Sequence, residues 1–187
     1  MNASAPLCRY ALAELREEPW RNGGGVTRTI AAAADWRASI ADIARDGAFS
    51  IFDGMARHAV LLDGAGLCLC APDAAPLHFD AAGALHQFPG ERPVSAQLGD
   101  GGPARLFNLM TRRGLVHAHI DVLRDRAFAS TPGSTWIAHV IAGRWRDDGD
   151  AALDAGAGIV IAPHAPRCAL RPETPGAMLI AARIDAA

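Results

Sequence analysis

The chain contains no lysine: all 18 of its positive side chains are arginines, scattered along 187 residues and slightly outnumbered by 20 carboxylates. A formal charge of -2 with no basic cluster excludes a nucleic-acid footprint. No apolar run reaches the length of a membrane span, and the opening MNASAPLCRYALAELREE has neither the basic start nor the apolar stretch of a secretory signal. A cytoplasmic protein with no membrane partner is therefore expected. The four cysteines, Cys8, Cys68, Cys70 and Cys168, include no CxxC pair. Cys68 and Cys70 would share one face of a strand, where a flat ladder does not join them easily, and all four read as small apolar residues to be buried. Also missing are a Gly-Lys-Ser or Gly-Lys-Thr phosphate loop, a dinucleotide glycine fingerprint and a nucleophile elbow. No stretch of helix length shows a 3.6-residue period.

What is present is a set of short alternating segments punctuated by glycine and proline. Half of the residues are apolar and a fifth charged, an ordinary globular balance with enough apolar surface for one large domain or two small lobes. Tyr10, Leu12 and Glu14 begin a first alternating segment. Val26 to Ile30 and Trp36 to Ile43 read as strands, the latter with Trp36, Ala38, Ile40 and Asp42 on one face and Arg37, Ser39 and Ala41 on the other. Ala59 to Leu62, Leu67 to Cys70, Phe107 to Thr111, Leu115 to Leu123, Trp136 to Ile141, Gly158 to Ala162 and Met178 to Ile184 follow.

The densest cluster of special residues is PWRNGGGVTRTI, Pro19 to Ile30. Gly23, Gly24 and Gly25 allow positive φ and let backbone N–H groups turn toward a ligand, while Arg21, Asn22 and Arg28 surround the turn with donors. A tight hairpin turn explains the same glycines sterically.

The order of signals repeats. Val60 to Gly64 resembles Val140 to Gly143, His86 to Pro89 resembles Ile159 to Pro163, and Ala104 to Leu109 resembles Ala177 to Ala182. Strand and glycine turn, strand and proline turn, then a closing strand, read twice, predicts an all-β protein of two small jelly-roll-like β-barrels packed together.

The motifs PWRNGGGVTR, DWRASIADI, GAFSIF, VLLDGAGL, FPGERPV and FNLMTRR resemble, in order and spacing, those of the HutD/Ves family. The resemblance implies a bicupin, with a first lobe over about 19–113 and a second over about 114–187 that includes the N-terminal strand. It implies a role tied to histidine utilisation or environmental stress, with urocanate or formylglutamate as candidate ligands and no established reaction. Trp20, Arg21, Asn22, Gly23, Gly24, Gly25 and Arg28 fall in its first motif, Arg37, Ser39 and Asp42 in the second, Phe49 and Ser50 in the third, and Asn108, Met110 and Arg112 in the last. Arg21 stands where lysine is common, so a planar fork replaces a point charge.

A ligand site follows from Arg37 and Ser39 on one strand face beside the glycine turn. A cation lining a barrel interior needs a partner, and a small carboxylate metabolite would supply it. In that reading Arg21, Arg28, Arg37 and Arg112 offer cations, Asn22, Ser39 and Asn108 orient oxygens, Met110 lines the site, and Trp20 or Phe49 covers a flat group. The protein would then be non-catalytic and need no cofactor. The competing idea is a metal-dependent cupin enzyme, with His117, His119 and Asp121 projecting from one strand face. An alternating polar outer face is the commoner explanation of that triad, and Arg124 stands where a glutamate ligand would be expected. Edge strands would suit a homodimer.

Overall fold

A computed structural model describes residues 6–99 and 102–187. After β1 (Leu7–Ala11) and a single 3-10 turn at Leu12–Glu14, the only helical element among the described residues, the chain is strand throughout. The expected strand at Tyr10, Leu12 and Glu14 thus lies earlier, and its second half is the turn, closed by Leu15 N–H donating to Leu12 O.

The strands that follow are β2 (Glu17–Pro19), β3 (Gly25–Ala33), β4 (Trp36–Ile43), β5 (Gly47–Ala48) and β6 (Met55–Asp63). Next come β7 (Leu67–Ala71), β8 (Ala74–Phe79), β9 (Leu85–Pro89), β10 (Ser95–Leu98) and β11 (Ala104–Arg112). The remainder are β12 (Val116–Arg124), β13 (Phe128–Ala129), β14 (Thr135–Ala142), β15 (Arg144–Asp147), β16 (Ala152–Asp154), β17 (Ala157–Ile161), β18 (Ala169–Pro172) and β19 (Met178–Ala186).

Contacts divide the chain into two units, Arg16–Leu115 and the segment ending at Leu15 together with Val116–Ala187. The Arg16–Leu115 unit has a six-stranded sheet, β2-β3-β4-β11-β6-β9, and a four-stranded sheet, β5-β10-β7-β8, with antiparallel pairing throughout. Its core draws Ile43, Leu61 and Leu106 from the large sheet and Leu67, Leu69, Phe79 and Ala96 from the small one, so the two sheets face each other across it.

The other unit repeats the plan with a five-stranded sheet, β1-β17-β14-β19-β12, and a four-stranded one, β13-β18-β15-β16. The order β9-β6-β11-β4 recurs as β17-β14-β19-β12, and β5-β10-β7-β8 recurs as β13-β18-β15-β16. The repeat is therefore one of topology, carried by alternating strands rather than by identical residues. Its core holds Trp145, Val140, Leu179 and Leu170. Beside it Tyr10 stacks on His139 with ring centroids 5.9 Å apart and its Oη 3.1 Å from Nδ1, and burial pushes the Tyr10 hydroxyl up.

Burial corrects the reading of the cysteines. Only Cys168 is buried; Cys8, Cys68 and Cys70 are partly exposed. Alternation is the reason for two of them, since Leu67 and Leu69 take the core side of β7 and turn Cys68 and Cys70 outward.

Candidate functional site

In β4 the register sets Arg37 opposite Met110, Ser39 opposite Asn108 and Ala41 opposite Leu106. From β6, Arg57 lies opposite Met110, Ala59 opposite Asn108 and Leu61 opposite Leu106. Directly opposed residues in a ladder point to one face. The inner face of the large sheet therefore runs from an apolar floor at Leu61 and Leu106, through Ser39 and Asn108, to two arginines. The opposite face, with Ala38, Ile40, Val60, Phe107 and Leu109, is fully buried as well. Of the two β4 faces read from the sequence, the polar one faces the interior of this unit.

A cavity of about 650 Å³ opens on this polar end. Trp20, Arg21, Asn22, Arg37, Ser39, Phe49, Asn108 and Met110 line it, joined by Glu18, Thr27, Ser50, Phe52 and Arg57. Trp20 is held as a wall by donating its indole N–H to Thr27 Oγ1 at 2.8 Å and by an edge contact with Phe49, centroids 5.7 Å apart.

Arg57 is the deepest cation. Only 6% exposed, it lies over Phe49, Phe52 and Phe88 at 5.2, 5.5 and 5.0 Å, donates to Asn108 Oδ1 at 3.3 Å and reaches Ser50 O at 3.5 Å. Burial, and the neighbouring Arg37 charge, push its pKa down to about 10. Arg37 lies 5.9 Å from the Phe52 ring, and the buried Nε atoms of both Arg37 and Arg57 have no hydrogen-bond partner. Among the described residues neither arginine has a carboxylate partner, and the one carboxylate on the lining is Glu18, on the exposed strand β2.

Because Asn108 Oδ1 already accepts from Arg57, its amide N–H2 is the group left to offer. The inner wall is thus two guanidinium groups, an amide donor and the buried Ser39 hydroxyl. It suits a group that only accepts hydrogen bonds, which an ionised carboxylate is.

Other residues singled out in the sequence lie outside the cavity. Arg28 pairs with Ile40 in the ladder, so its side chain leaves by the opposite face, where it forms ion pairs with Asp42 and Glu17; Arg105 joins the same Asp42. Arg112 ends β11, exposed, with Nε 2.9 Å from Asp35 Oδ1. The glycine turn is self-contained. Gly23 N–H donates to Trp20 O and Gly24 N–H to Asn22 Oδ1, both at 2.9 Å, and Gly25 enters β3 opposite Ile43. Gly23 has φ +67 and closes the turn, while at Gly25 a Cβ would collide with the Asp42 carbonyl oxygen. The Gly23 and Gly24 amides are therefore used within the turn itself.

His119 and Asp121 lie opposite Arg183 and Ala181, which puts them on the core-side face of the second unit's large sheet and not on its outer face. Because β12 is the edge strand they are nonetheless open to solvent, 67% and 59% exposed, and 3.3 Å apart. Arg183, paired with Asp185, sets a cation beside them. Among the described residues no three His, Cys, Asp or Glu side chains surround a common point suited to a metal.

Arg57 and Phe52 are absent from the sequence-based site. The signal for Arg57 was its place in β6, where it shares parity with Ala59 and Leu61, a cation on an otherwise apolar face.

Paired antiparallel sheets around a core, repeated twice, with a polar cavity in one unit, define a cupin-like β protein. The chain belongs to the HutD family, which matches residues 12–180. It is 38% identical over 135 residues to Protein Ves of Cronobacter sakazakii, covering 68% of this chain and 72% of that one. To Protein Ves of Escherichia fergusonii it is 37% identical over 142 residues. The structure of HutD from Pseudomonas fluorescens SBW25 (formate condition) superposes with a TM-score of 0.82 at 25% identity, covering 97% of this chain and 99% of that one. Oxalate decarboxylase of Bacillus subtilis, with a TM-score of 0.59 at 10% identity over 95% of this chain and 76% of its own, shares the fold alone.

Proposed function

We propose that the Arg16–Leu115 unit binds a small carboxylate metabolite in its arginine-lined cavity, without a resident metal, and that the protein thereby modulates histidine utilisation rather than catalysing a step of it. The observation that carries this reading is the pair of guanidinium groups sharing one cavity, each with an unsatisfied buried Nε and no carboxylate partner. A buried cation without a counter-charge is costly, and an anionic ligand offsets that cost. Trp20 and Phe49 supply flat walls for a conjugated group. Urocanate and formylglutamate, the candidates that the family resemblance implies, both present a carboxylate, and urocanate adds a planar imidazole.

The test is a thermal-shift panel on EDTA-treated protein with urocanate, formylglutamate, formiminoglutamate, histidine and glutamate. A ligand at about a hundred times its Kd adds about 2.7 kcal/mol of native stability, a rise in Tm of about 5–10 °C for a chain of this size. Arg37→Ala is expected to abolish the shift. Silence across the whole panel, or an undiminished shift in Arg37→Ala, would overturn the reading.

Affinity should also follow pH in a defined way. Calorimetric titration is expected to give a plateau at neutral pH and a fall below about pH 4, where a ligand carboxyl gains a proton that the donor-lined wall does not accept. A second fall is expected above about pH 10, as Arg57 loses its charge. A profile unchanged through pH 4 would mean that the recognised group is not a carboxylate.

A further inference from the structure

Two glutamates follow one another in β2 and leave it by opposite faces. Glu17 pairs with Arg28, and Arg28 with Ile40, so Glu17 lies on the outer face, where it forms an ion pair with Arg28. Glu18 pairs with Thr27, and Thr27 with Ala41, which places Glu18 on the inner face and on the lining of the arginine cavity. Among the described residues Glu18 has no ion-pair partner. Trp20 stands beside it, since the indole N–H donates to Oγ1 of Thr27, the ladder partner of Glu18. The exposed end of the cavity thus carries an aromatic ring and a carboxylate, both of which attract a cation, while the inner end carries Arg37 and Arg57.

Resting on the carboxylate reading of this cavity, we propose that its ligand is a flat zwitterion. The carboxylate end seats on Arg37 and Arg57, and a cationic, N–H-bearing end lies against Trp20 and donates to the Glu18 carboxylate.

The ladder separates the two ends. Glu18 is two ladder spacings from β4, about 10 Å across the sheet, at the level of Ala41, which is itself about 13 Å along β4 from Arg37. A ligand held at the arginines reaches Glu18 only if it has an extended body, and a cavity of about 650 Å³ has room for one. Polarity sets the order of its groups. The inner wall offers donors alone, and Glu18 offers only acceptors when ionised, so the ligand must accept at one end and donate at the other. Arg21, exposed on the same lining, is the one group at the mouth that would favour a second anion, and the adjacent Glu18 charge opposes it.

The experiment is calorimetric titration of metal-free, full-length protein at neutral pH with three cinnamates that differ only in the para substituent: aminomethyl, hydroxymethyl and carboxylate. The aminomethyl probe should bind about fivefold more tightly than the hydroxymethyl one, the upper end of what an exposed ion pair supplies. The dicarboxylate should bind most weakly. In Glu18→Gln the aminomethyl preference is expected to vanish while affinity for the hydroxymethyl probe stays, and Glu17→Gln should keep the wild-type ratio. High salt should shrink the preference. Thermal melts establish that each variant folds. Binding of the hydroxymethyl probe that needs Arg37, with no aminomethyl preference, overturns this inference and leaves the carboxylate reading standing. So does a preference that survives in Glu18→Gln, an equal change for both probes in that variant, as when Glu18 serves only to restrain Arg21, or tightest binding of the dicarboxylate. Failure of all three probes overturns both readings together.

Discussion

Replacing Arg57 by methionine is expected to stabilise the unliganded protein while weakening carboxylate binding. The fold keeps this guanidinium charged at a cost: its pKa pushed down to about 10 corresponds, through linkage, to about 3 kcal/mol. Three aromatic rings and the bond to Asn108 return part of it, and methionine keeps the apolar stem in place without the charge. A net gain of about 1–2 kcal/mol, or a Tm higher by about 2–8 °C, should appear in thermal melts. Ligand affinity should fall about a hundredfold, since a charge-assisted hydrogen-bonding partner is gone. The sign of the pH dependence is a second check. A base whose folded-state pKa is depressed destabilises the fold while charged, so wild-type stability should rise as pH climbs through about 10, and Arg57→Met should lack that rise. A variant less stable than wild type at neutral pH would show that the rings and Asn108 fully compensate the charge, leaving Arg57 with no need of an anion.

Gly25→Ala is expected to be the most damaging single methyl in the large sheet. The added Cβ would meet the Asp42 carbonyl oxygen, which is backbone and held in β4, and also approach the Trp20 ring at 3.3 Å. Relief requires β3 and β4 to separate where Gly25 pairs with Ile43. Overpacking against backbone costs about 3 kcal/mol, a loss of about 6–12 °C in Tm. Gly24→Ala is the control. Its methyl meets the flexible Asn22 oxygen at 3.2 Å and the Trp20 ring at 3.6 Å, so its loss should be well under half as large. Equal losses would assign the effect to the turn as a whole rather than to the β3–β4 contact.

Much of the architecture was legible one strand at a time. Trp36 to Ile43 matches β4 to the residue because strict alternation leaves one register. The recurring strand and turn signals mark a duplication that the sheet orders display. What misled was local chemistry read without a face. Arg28 shares a motif with Trp20 and Asn22, yet its parity in β3 sends it to Asp42 on the other side of the sheet. Cys68 and Cys70 read as core residues because cysteine is usually buried, but Leu67 and Leu69 claim the core side of that strand.

The sequence by itself determined the strand content, the repeated order of elements and the family, since alternation, turn residues and ordered motifs are written in neighbouring positions. Only the tertiary structure decided which polar face of β4 lies inside, and that Arg57 from β6 joins Arg37 from β4 across Met110 of β11. That convergence depends on the pairing of Met110 with Arg37, 73 positions away, and with Arg57, 53 positions away, and ladder register between distant strands is fixed by the packing of whole sheets rather than by any local signal.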